Sequence, residues 1–505
     1  MTTMPTANAV PLTQSTLGEI AATIPGPSYD RARITAGIVH FGLGGFHRAH
    51  QARYLDELMN SGEGFDWGIC GVGLLPSDAK MAEVMRAQDC LYTLVLKHPD
   101  GRREPRVIGS VVEYLHAPAD PAAVLSRLVR PQTRIVELTV TEGGYNISDV
   151  TGEFKTDEPA VLADAQPGAT PSTVFGYLVE ALAQRRAAGT APFTVLSCDN
   201  IQGNGEVARR VVVAFARLRD AELADWIETE VAFPNCMVDR ITPASTDADR
   251  DEVRTDFGVL DGWPVVCEPF TQWVVQEHFR AGRPGWEKVG VQMVNDVHPY
   301  ELMKLRLLNA GHQAVSYAGL LHGYRYVHEA CQDPVFVDFL YRYWRNEAIP
   351  TLDPVPGIDL DGYLDQLVER FSNSHIRDTL ARTGSDSSDR IPKFVLPVVR
   401  AALAAGGEID CCAAIAATWA RYCEATNEQG EPITVIDPLA ATLTAAARQQ
   451  DEQPLSFIQN PALFGELGRD PRFQRAFTDA LSSVKAHGAR ATFARIAAGD
   501  ALRSR

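Results

Sequence analysis

The sequence predicts an α/β, Rossmann-like N-terminal domain followed by a mostly α-helical C-terminal domain. Three observations predict it. Short apolar runs alternate with amphipathic stretches over the first 295 residues. A glycine turn closes the first strong run. From about Pro299 onward, strand-like runs give way to long amphipathic or Ala-rich segments. The 505 residues suffice for about two or three domains with ample core. At 45% hydrophobic and 22% charged residues, the composition is that of an ordinary globular protein.

Several classes of function are disfavoured at once. A net charge of -17 argues against a nucleic-acid surface, which needs a basic stripe. No apolar run reaches the length of a membrane span. Residues 1–36 lack the basic-then-apolar plan of a signal peptide. They read as a loosely attached leader with a short helix near 17–22. Nine scattered cysteines without a C-x-x-C pair fit reduced core thiols in a cytoplasmic protein. Without clustered Cys and His, no structural zinc is expected; spacing alone leaves open a catalytic zinc built from distant ligands.

Within 37–295, strand-like runs fall at 37–43, 67–74, 134–141 and 193–198. Helical patterns fall between or after them at 48–59, 121–129, 172–188 and 205–220. This rhythm predicts a largely parallel sheet with helices on both faces. The runs 263–267 and 289–291 are expected to extend it. Within 296–505, helices are expected at 300–320, 333–346, 362–373, 393–404, 411–425 and 438–449. The polar segment 383–390 reads as a loop ahead of Pro392.

The first strand runs into Gly42-Leu-Gly44-Gly45-Phe46-His47. Gly42 permits a tight turn, and Gly44 lets a pyrophosphate approach the backbone at a helix start. The third glycine of G-x-G-x-x-G is replaced by His47. Asp78, after the second strand, is the candidate ribose-binding acid, favouring NAD by repelling a 2′-phosphate. A helix-opening aspartate is the bland alternative. Two further strand ends are polar: 139–145, with Glu142, and 197–205, with Asn200. Ligands of open α/β sheets bind at such ends, although turns favour the same residues. His40, His47 and His50 sit on strand and turn positions that do not point to one face.

The stretch Glu301-Leu-Met-Lys304-Leu-Arg-Leu-Leu-Asn309-Ala-Gly-His312 reads as a helix. At about 100° per residue, Glu301, Lys304, Asn309 and His312 share roughly 140° of arc with Leu305 and Leu308. An apolar setting lowers a lysine pKa toward the range a general base needs. Tyr300 and Lys304 also fit Y-x-x-x-K, the acid–base pair of short-chain dehydrogenases. Those chains are about half as long and carry the pair in the nucleotide domain, so the match reads as coincidence.

Taken together, these segments resemble the long-chain polyol-specific dehydrogenase/reductase family, and most closely its mannitol-oxidising members. The resemblance is carried by GLGGFHRAHQARYLDEL from Gly42, WGICGVGL from Trp67, LTVTEGGY from Leu138 and SCDN from Ser197. It continues through FPNCMVDRITP from Phe233, WPVVCEPFTQWV from Trp263, KLRLLNAGH from Lys304 and SDSSDRIPKF from Ser385. Order and spacing hold from about residue 37 to beyond 395.

The resemblance implies a metal-independent enzyme that passes hydride between an acyclic polyol and NAD, interconverting D-mannitol and D-fructose. It implies Lys304 as general acid/base, with Asn200 and Asn309 holding the reacting oxygen. His312 would orient substrate hydroxyls, and Glu301 would exchange protons with solvent. Asp239, Arg382, Arg390 and Lys393 match substrate-site residues. Arg390 stands where mannitol enzymes carry Lys. Gly42, Gly44, Gly45, Phe46, Asp78 and Glu142 would line the cofactor. Members are often monomers, so a monomer is expected. The alternative is a related enzyme acting on arabinitol, sorbitol or a hexuronate such as fructuronate, with Arg390 as the extra cation. A non-catalytic nucleotide sensor would lack the base and oxyanion set.

Overall fold

A computed structural model describes residues 9–147 and 153–502. The chain divides into two compact units between Val297 and His298. The first is built on five strands: β1 (Ala36–Phe41), β2 (Gly68–Gly73), β3 (Val111–His116), β4 (Ile135–Leu138) and β5 (Thr194–Ser197). They lie in the order β3-β2-β1-β4-β5, and every pairing is parallel. All residues of β1, β2, β4 and β5 are buried. A sheet covered on both faces needs apolar side chains on both, so these strands read as continuous runs.

Successive side chains of a strand point to opposite faces, and two cores result. Val39, Phe41, Val72, Val136 and Val195 pack with helices Pro121–Val129, Val174–Ala187 and Asn204–Arg219. Ile38, Ile69, Ile135 and Leu196 share the other core with Ala52, Leu55 and Met59 of helix Gln51–Asn60.

Several expectations fail in this unit. The run 263–267 does not extend the main sheet: Val265–Cys267 pairs with Tyr92–Lys97, which runs antiparallel to Arg103–Ile108. Residues 286–289 form a 3-10 turn, and the strand Gln292–Val294 follows it in a third sheet with Gln272–Gln276 and Cys236–Asp239. An apolar run announces a buried strand but not its partner. The leader is also not loose. Val10–Pro11 pairs with Val259–Leu260, and Leu12, Ile20 and Ile24 are buried against Val95, Val107 and Val266. Its short helix, Leu17–Ile20, falls where expected.

The second unit is helical. Its central helix, Asp410–Tyr422, buries every residue from Cys411 to Ala420. The small alanines let helices Ala310–His322 and Pro471–His487 pack closely on it. The expected helix 300–320 exists, but it is not uniform. An α-helical turn, His298–Met303, opens into a π-helical segment, Lys304–Asn309, before α-helix resumes at Ala310–His322. The N–H of Ala310 reaches back five residues to the Leu305 carbonyl. A second π-helical segment, Tyr343–Ala348, follows helix Pro334–Arg342.

The stretch 383–390 is not a loop throughout. Helix Leu380–Thr383 ends there, and helix Ser387–Phe394 begins and takes in Pro392. Its start is anchored by a distant carboxylate: Asp437 accepts from the Ser388 N–H and from the hydroxyls of Ser387 and Ser388 at 2.7–2.8 Å. All nine cysteines are buried and unpaired. Among the described residues, no helix is long and apolar enough to cross a membrane.

Candidate active site

In the first unit, β1 delivers the chain to Gly42, which adopts φ +89°. A Cβ there would stand 2.2 Å from the Thr139 carbonyl oxygen, so only glycine fits. The Gly42 carbonyl accepts from the Gly44 N–H at 2.6 Å and the Thr139 hydroxyl at 2.7 Å. Gly44 is exposed and caps the short helix Gly45–Ala49. The expected single helix over 48–59 is therefore two, broken at His50 and resumed as Gln51–Asn60. Phe46 stacks on His50 with ring centroids 5.0 Å apart. This turn lies between β1 and β4, where the strand order reverses, which is where open α/β sheets bind ligands.

Asp78 ends a 3-10 turn after β2, and its carboxylate accepts from the Leu75 N–H at 2.9 Å. The bland capping reading of Asp78 is thus realised, at the strand end where a ribose acid is expected. Glu142 opens the turn Glu142–Tyr145; its side chain lies outside the described part. Asn200 is exposed just after β5. Its neighbour Asp199 is buried and accepts from the backbone N–H groups of Val140 and Thr141 and from the Tyr145 hydroxyl. Sequence reasoning passed over Asp199, although SCDN put it in view. Asp239 is buried at the end of strand Cys236–Asp239. Its neighbour Arg240 donates to the carbonyls of Ala49 and Glu268.

His40 and His47 are brought together, contrary to the expectation that they diverge. They meet around Glu137 of β4, which the sequence analysis did not single out. The strand register does this, because it sets His40 opposite Glu137. His50 stays apart, donating from Nε2 to the Gln272 carbonyl at 2.9 Å.

In the second unit, Glu301, Lys304 and Asn309 are all buried, at 6–8% exposure. Bonding across five residues brings positions i and i+5 closer around the helix than four-residue bonding does. Lys304 and Asn309 therefore share a narrower face than α-helical spacing implied. The Asn309 Oδ1 is buried and has no hydrogen-bond partner among the described residues. A buried, unsatisfied amide oxygen calls for an explanation, and ligand contact is one. His312 is half-buried and stacks on Phe371, with centroids 4.2 Å apart. The Tyr300 hydroxyl is committed to the Pro356 carbonyl at 2.8 Å, which sets it apart from the short-chain dehydrogenase role.

The segment with Arg382 packs against the same helix. Gln313 donates to the Thr383 carbonyl, and Ser316 pairs with the Thr383 hydroxyl. Arg382 forks onto both carboxylate oxygens of Asp378. Burial opposes its charge, but Asp378 holds the guanidinium above its ordinary pKa. Arg390 donates to the carbonyls of Arg382 and Thr383. Lys393 pairs with Asp389 at 2.5 Å on an exposed face.

The strand order, the glycine turn at its reversal and the buried strands are those of a Rossmann-type domain, here joined to a helical unit. Residues 36–288 match the model of the mannitol dehydrogenase Rossmann domain, and residues 296–485 match that of the mannitol dehydrogenase C-terminal domain. The chain belongs to the mannitol dehydrogenase family. It is 45% identical over 472 residues to the mannitol 2-dehydrogenase of Cereibacter sphaeroides, covering 94% of this chain and 98% of that one. It is also 45% identical over 475 residues to the mannitol 2-dehydrogenase of Phaeosphaeria nodorum, covering 93% and 83%. Among solved structures it is similar to Pseudomonas fluorescens mannitol 2-dehydrogenase in ternary complex with NAD and D-mannitol. That match has a TM-score of 0.88 at 44% identity, with 96% and 99% coverage. A substrate-free D-sorbitol dehydrogenase matches with the same TM-score at 40% identity, with 95% and 100% coverage.

Proposed function

We propose that this protein is an NAD-dependent, metal-independent mannitol 2-dehydrogenase that interconverts D-mannitol and D-fructose. The observation that carries the reading is the π-helical segment Lys304–Asn309, which buries both Lys304 and Asn309. Lys304 takes the proton of the reacting hydroxyl during oxidation and returns it during reduction. Asn309 and Asn200 supply amide donors for the oxygen, whose negative charge grows as the proton leaves. Glu301, one helical turn before Lys304, exchanges that proton with solvent. His312, Asp239 and Arg382 orient the remaining hydroxyls. A lysine doing this work needs no metal ion to activate the alcohol.

Gly42, Gly44, Gly45 and Phe46 hold the cofactor pyrophosphate side, and Asp78 the ribose. The exposed Gly44 backbone at the strand-order reversal fits such a group. NAD, when bound, supplies the hydride acceptor. The relatives' names and the NAD and D-mannitol of the Pseudomonas fluorescens complex support this choice of cofactor and substrate.

A second reading is favoured by the match to D-sorbitol dehydrogenase: oxidation of another hexitol, D-sorbitol. The hexuronate alternative is weaker, because Arg390 Nη1 is held by two backbone carbonyls and its charge is shared with Asp386, 3.8 Å from Nη2. A panel of D-mannitol, D-sorbitol, D-arabinitol and fructuronate with NAD and NADP, followed by reduced-nicotinamide absorbance, tests the assignment. The expected result is the highest kcat/KM with D-mannitol and NAD. Turnover with no polyol would contradict it.

A further inference from the structure

Just beyond β4, the first unit holds one residue in a conformation that side chains rarely adopt. Thr141 is exposed and has φ +63° and ψ 169°. That region is open to glycine and strained for a β-branched residue. Such strain persists only where the surroundings fix the backbone, and here both sides are fixed. The Thr141 N–H donates to Asp199 Oδ1 at 2.8 Å, and its carbonyl accepts from the Gly144 N–H at 3.0 Å. Asp199 Oδ2 accepts from the preceding N–H, that of Val140, at 3.2 Å.

Asp199 is itself well held. The buried Tyr145 hydroxyl donates to its Oδ2 at 2.8 Å and lies 2.5 Å from Ser197 Oγ. Its carbonyl accepts from Asn204 Nδ2 at 3.1 Å. The Asn204 amide, in turn, bonds the N–H and the carbonyl of Cys236. Asp199 is 7% exposed and Asn204 1%. The Asp199 side chain thus joins the ends of β4 and β5, and its backbone is tied to strand Cys236–Asp239.

This junction borders the glycine turn. Thr139, two residues before Thr141, supplies the carbonyl that leaves no room for a Cβ on Gly42, and its hydroxyl donates to the Gly42 carbonyl. Thr141 then caps the turn Glu142–Tyr145. A glycine at 141 would reach the observed conformation freely and leave it as freely. A threonine stays there only while a partner holds it.

We propose that Asp199 is a positioning residue for the nucleotide: by capturing the Val140 and Thr141 N–H groups it holds the strained Thr141 backbone and so presents the 141–145 segment to a cofactor bound beside Gly42. The effect on the cofactor rests on the nucleotide site of the proposed function; the hold on Thr141 does not. Asn200, the next residue, is assigned there to the reacting oxygen. A disturbance passed on through Asn200 would fall on kcat, whereas one passed on through Thr141 falls on cofactor binding.

NADH titration of the full-length protein by fluorescence, without substrate, separates these routes when KM and kcat are measured alongside. Asp199→Ala is expected to raise the NADH dissociation constant and the KM for NAD by about tenfold, with a smaller effect on kcat. Thr141→Gly removes the strain and is expected to bind NADH within about threefold of wild type. In the double variant the glycine no longer needs the carboxylate, so NADH should bind more tightly than to Asp199→Ala alone. Thr141→Pro cannot adopt a positive φ and has no N–H to donate, so it should lose affinity as Asp199→Ala does.

Wild-type NADH affinity in Asp199→Ala would overturn the inference. So would a double variant that binds no better than Asp199→Ala, or a loss confined to kcat. If Asp199→Ala does not fold, Thr141→Gly and Thr141→Pro decide, because the change is at an exposed position; equal affinities in the two would overturn the inference. A wild type that binds no NADH would overturn the nucleotide reading itself, whereas these outcomes in a wild type that does bind it would overturn only the role of Asp199.

Discussion

The indole Nε1 of Trp344 donates to the carbonyl of Leu307 at 2.9 Å. One residue earlier, the Tyr343 hydroxyl donates to the Arg306 carbonyl, also at 2.9 Å. Both carbonyls belong to the π-helical segment between Lys304 and Asn309, where the ordinary four-residue ladder is interrupted. Tyr343 and Trp344 are fully buried and themselves open the second π-helical segment. One irregular turn is thus braced by side chains from another, and the braced turn carries the candidate base.

Trp344→Phe keeps an aromatic ring in place but removes the N–H. It should cost about 1–2 kcal/mol of stability. If the Lys304–Asn309 face shifts, kcat should fall by about 10- to 100-fold. Urea unfolding and steady-state kinetics check the two effects. A variant with wild-type kcat would show that the brace serves stability alone.

Glu347, at the far end of the same π-helical segment, caps the central helix. Its two oxygens accept from the Cys411 and Cys412 N–H groups at 2.6 and 2.8 Å. Glu347→Ala leaves both donors buried and unpaired and should cost about 2–4 kcal/mol. Glu347→Gln keeps one acceptor and should cost less. The order of the two urea midpoints is the test.

Gly42→Ala combines an unfavourable φ with a Cβ 2.2 Å from a backbone oxygen. More than about 3 kcal/mol should be lost. Thermal unfolding of whatever soluble protein forms will show it, and an unchanged melting point would refute the turn geometry.

Much of this was legible in the sequence, for identifiable reasons. The strands of the main sheet are buried on both faces, so their apolar runs stood out, and Gly42 marked the turn because nothing else fits there. The π-helical segment was not legible, because side-chain periodicity over six residues hardly distinguishes five-residue from four-residue bonding. His40 and Glu137 are 97 apart in sequence and meet only through the β1–β4 register. Helix Ser387–Phe394 was hidden because its anchor, Asp437, is remote, and because Pro392 suggested a break. Of the candidate site residues, Lys304 and Asn309 were legible as a polar face. Arg390 and Lys393 were read for charge, yet both have partners nearby in the chain.

The buried histidines set a pH dependence. Burial lowers the pKa values of His47 and His50 to about 3, against an ordinary value near 6.5. Between those values the unfolded chain binds protons that the folded chain does not, so stability rises with pH across this window and falls on acidification. Each histidine contributes up to about 1.4 kcal/mol per pH unit. Urea midpoints at about pH 7 and pH 5.5 should differ in that direction, and equal midpoints would contradict the buried neutral state.

The central claim is that Lys304 moves the proton while hydride passes between D-mannitol and NAD. The most direct test follows NADH formation from D-mannitol and NAD by wild type, Lys304→Ala and Tyr300→Phe, with NADH binding measured alongside. The account predicts turnover by the wild type and a kcat loss of about 10²- to 10⁴-fold in Lys304→Ala with NADH still bound. It predicts only a modest loss in Tyr300→Phe, whose hydroxyl is committed to Pro356. A crippled Tyr300→Phe beside a nearly active Lys304→Ala would contradict it.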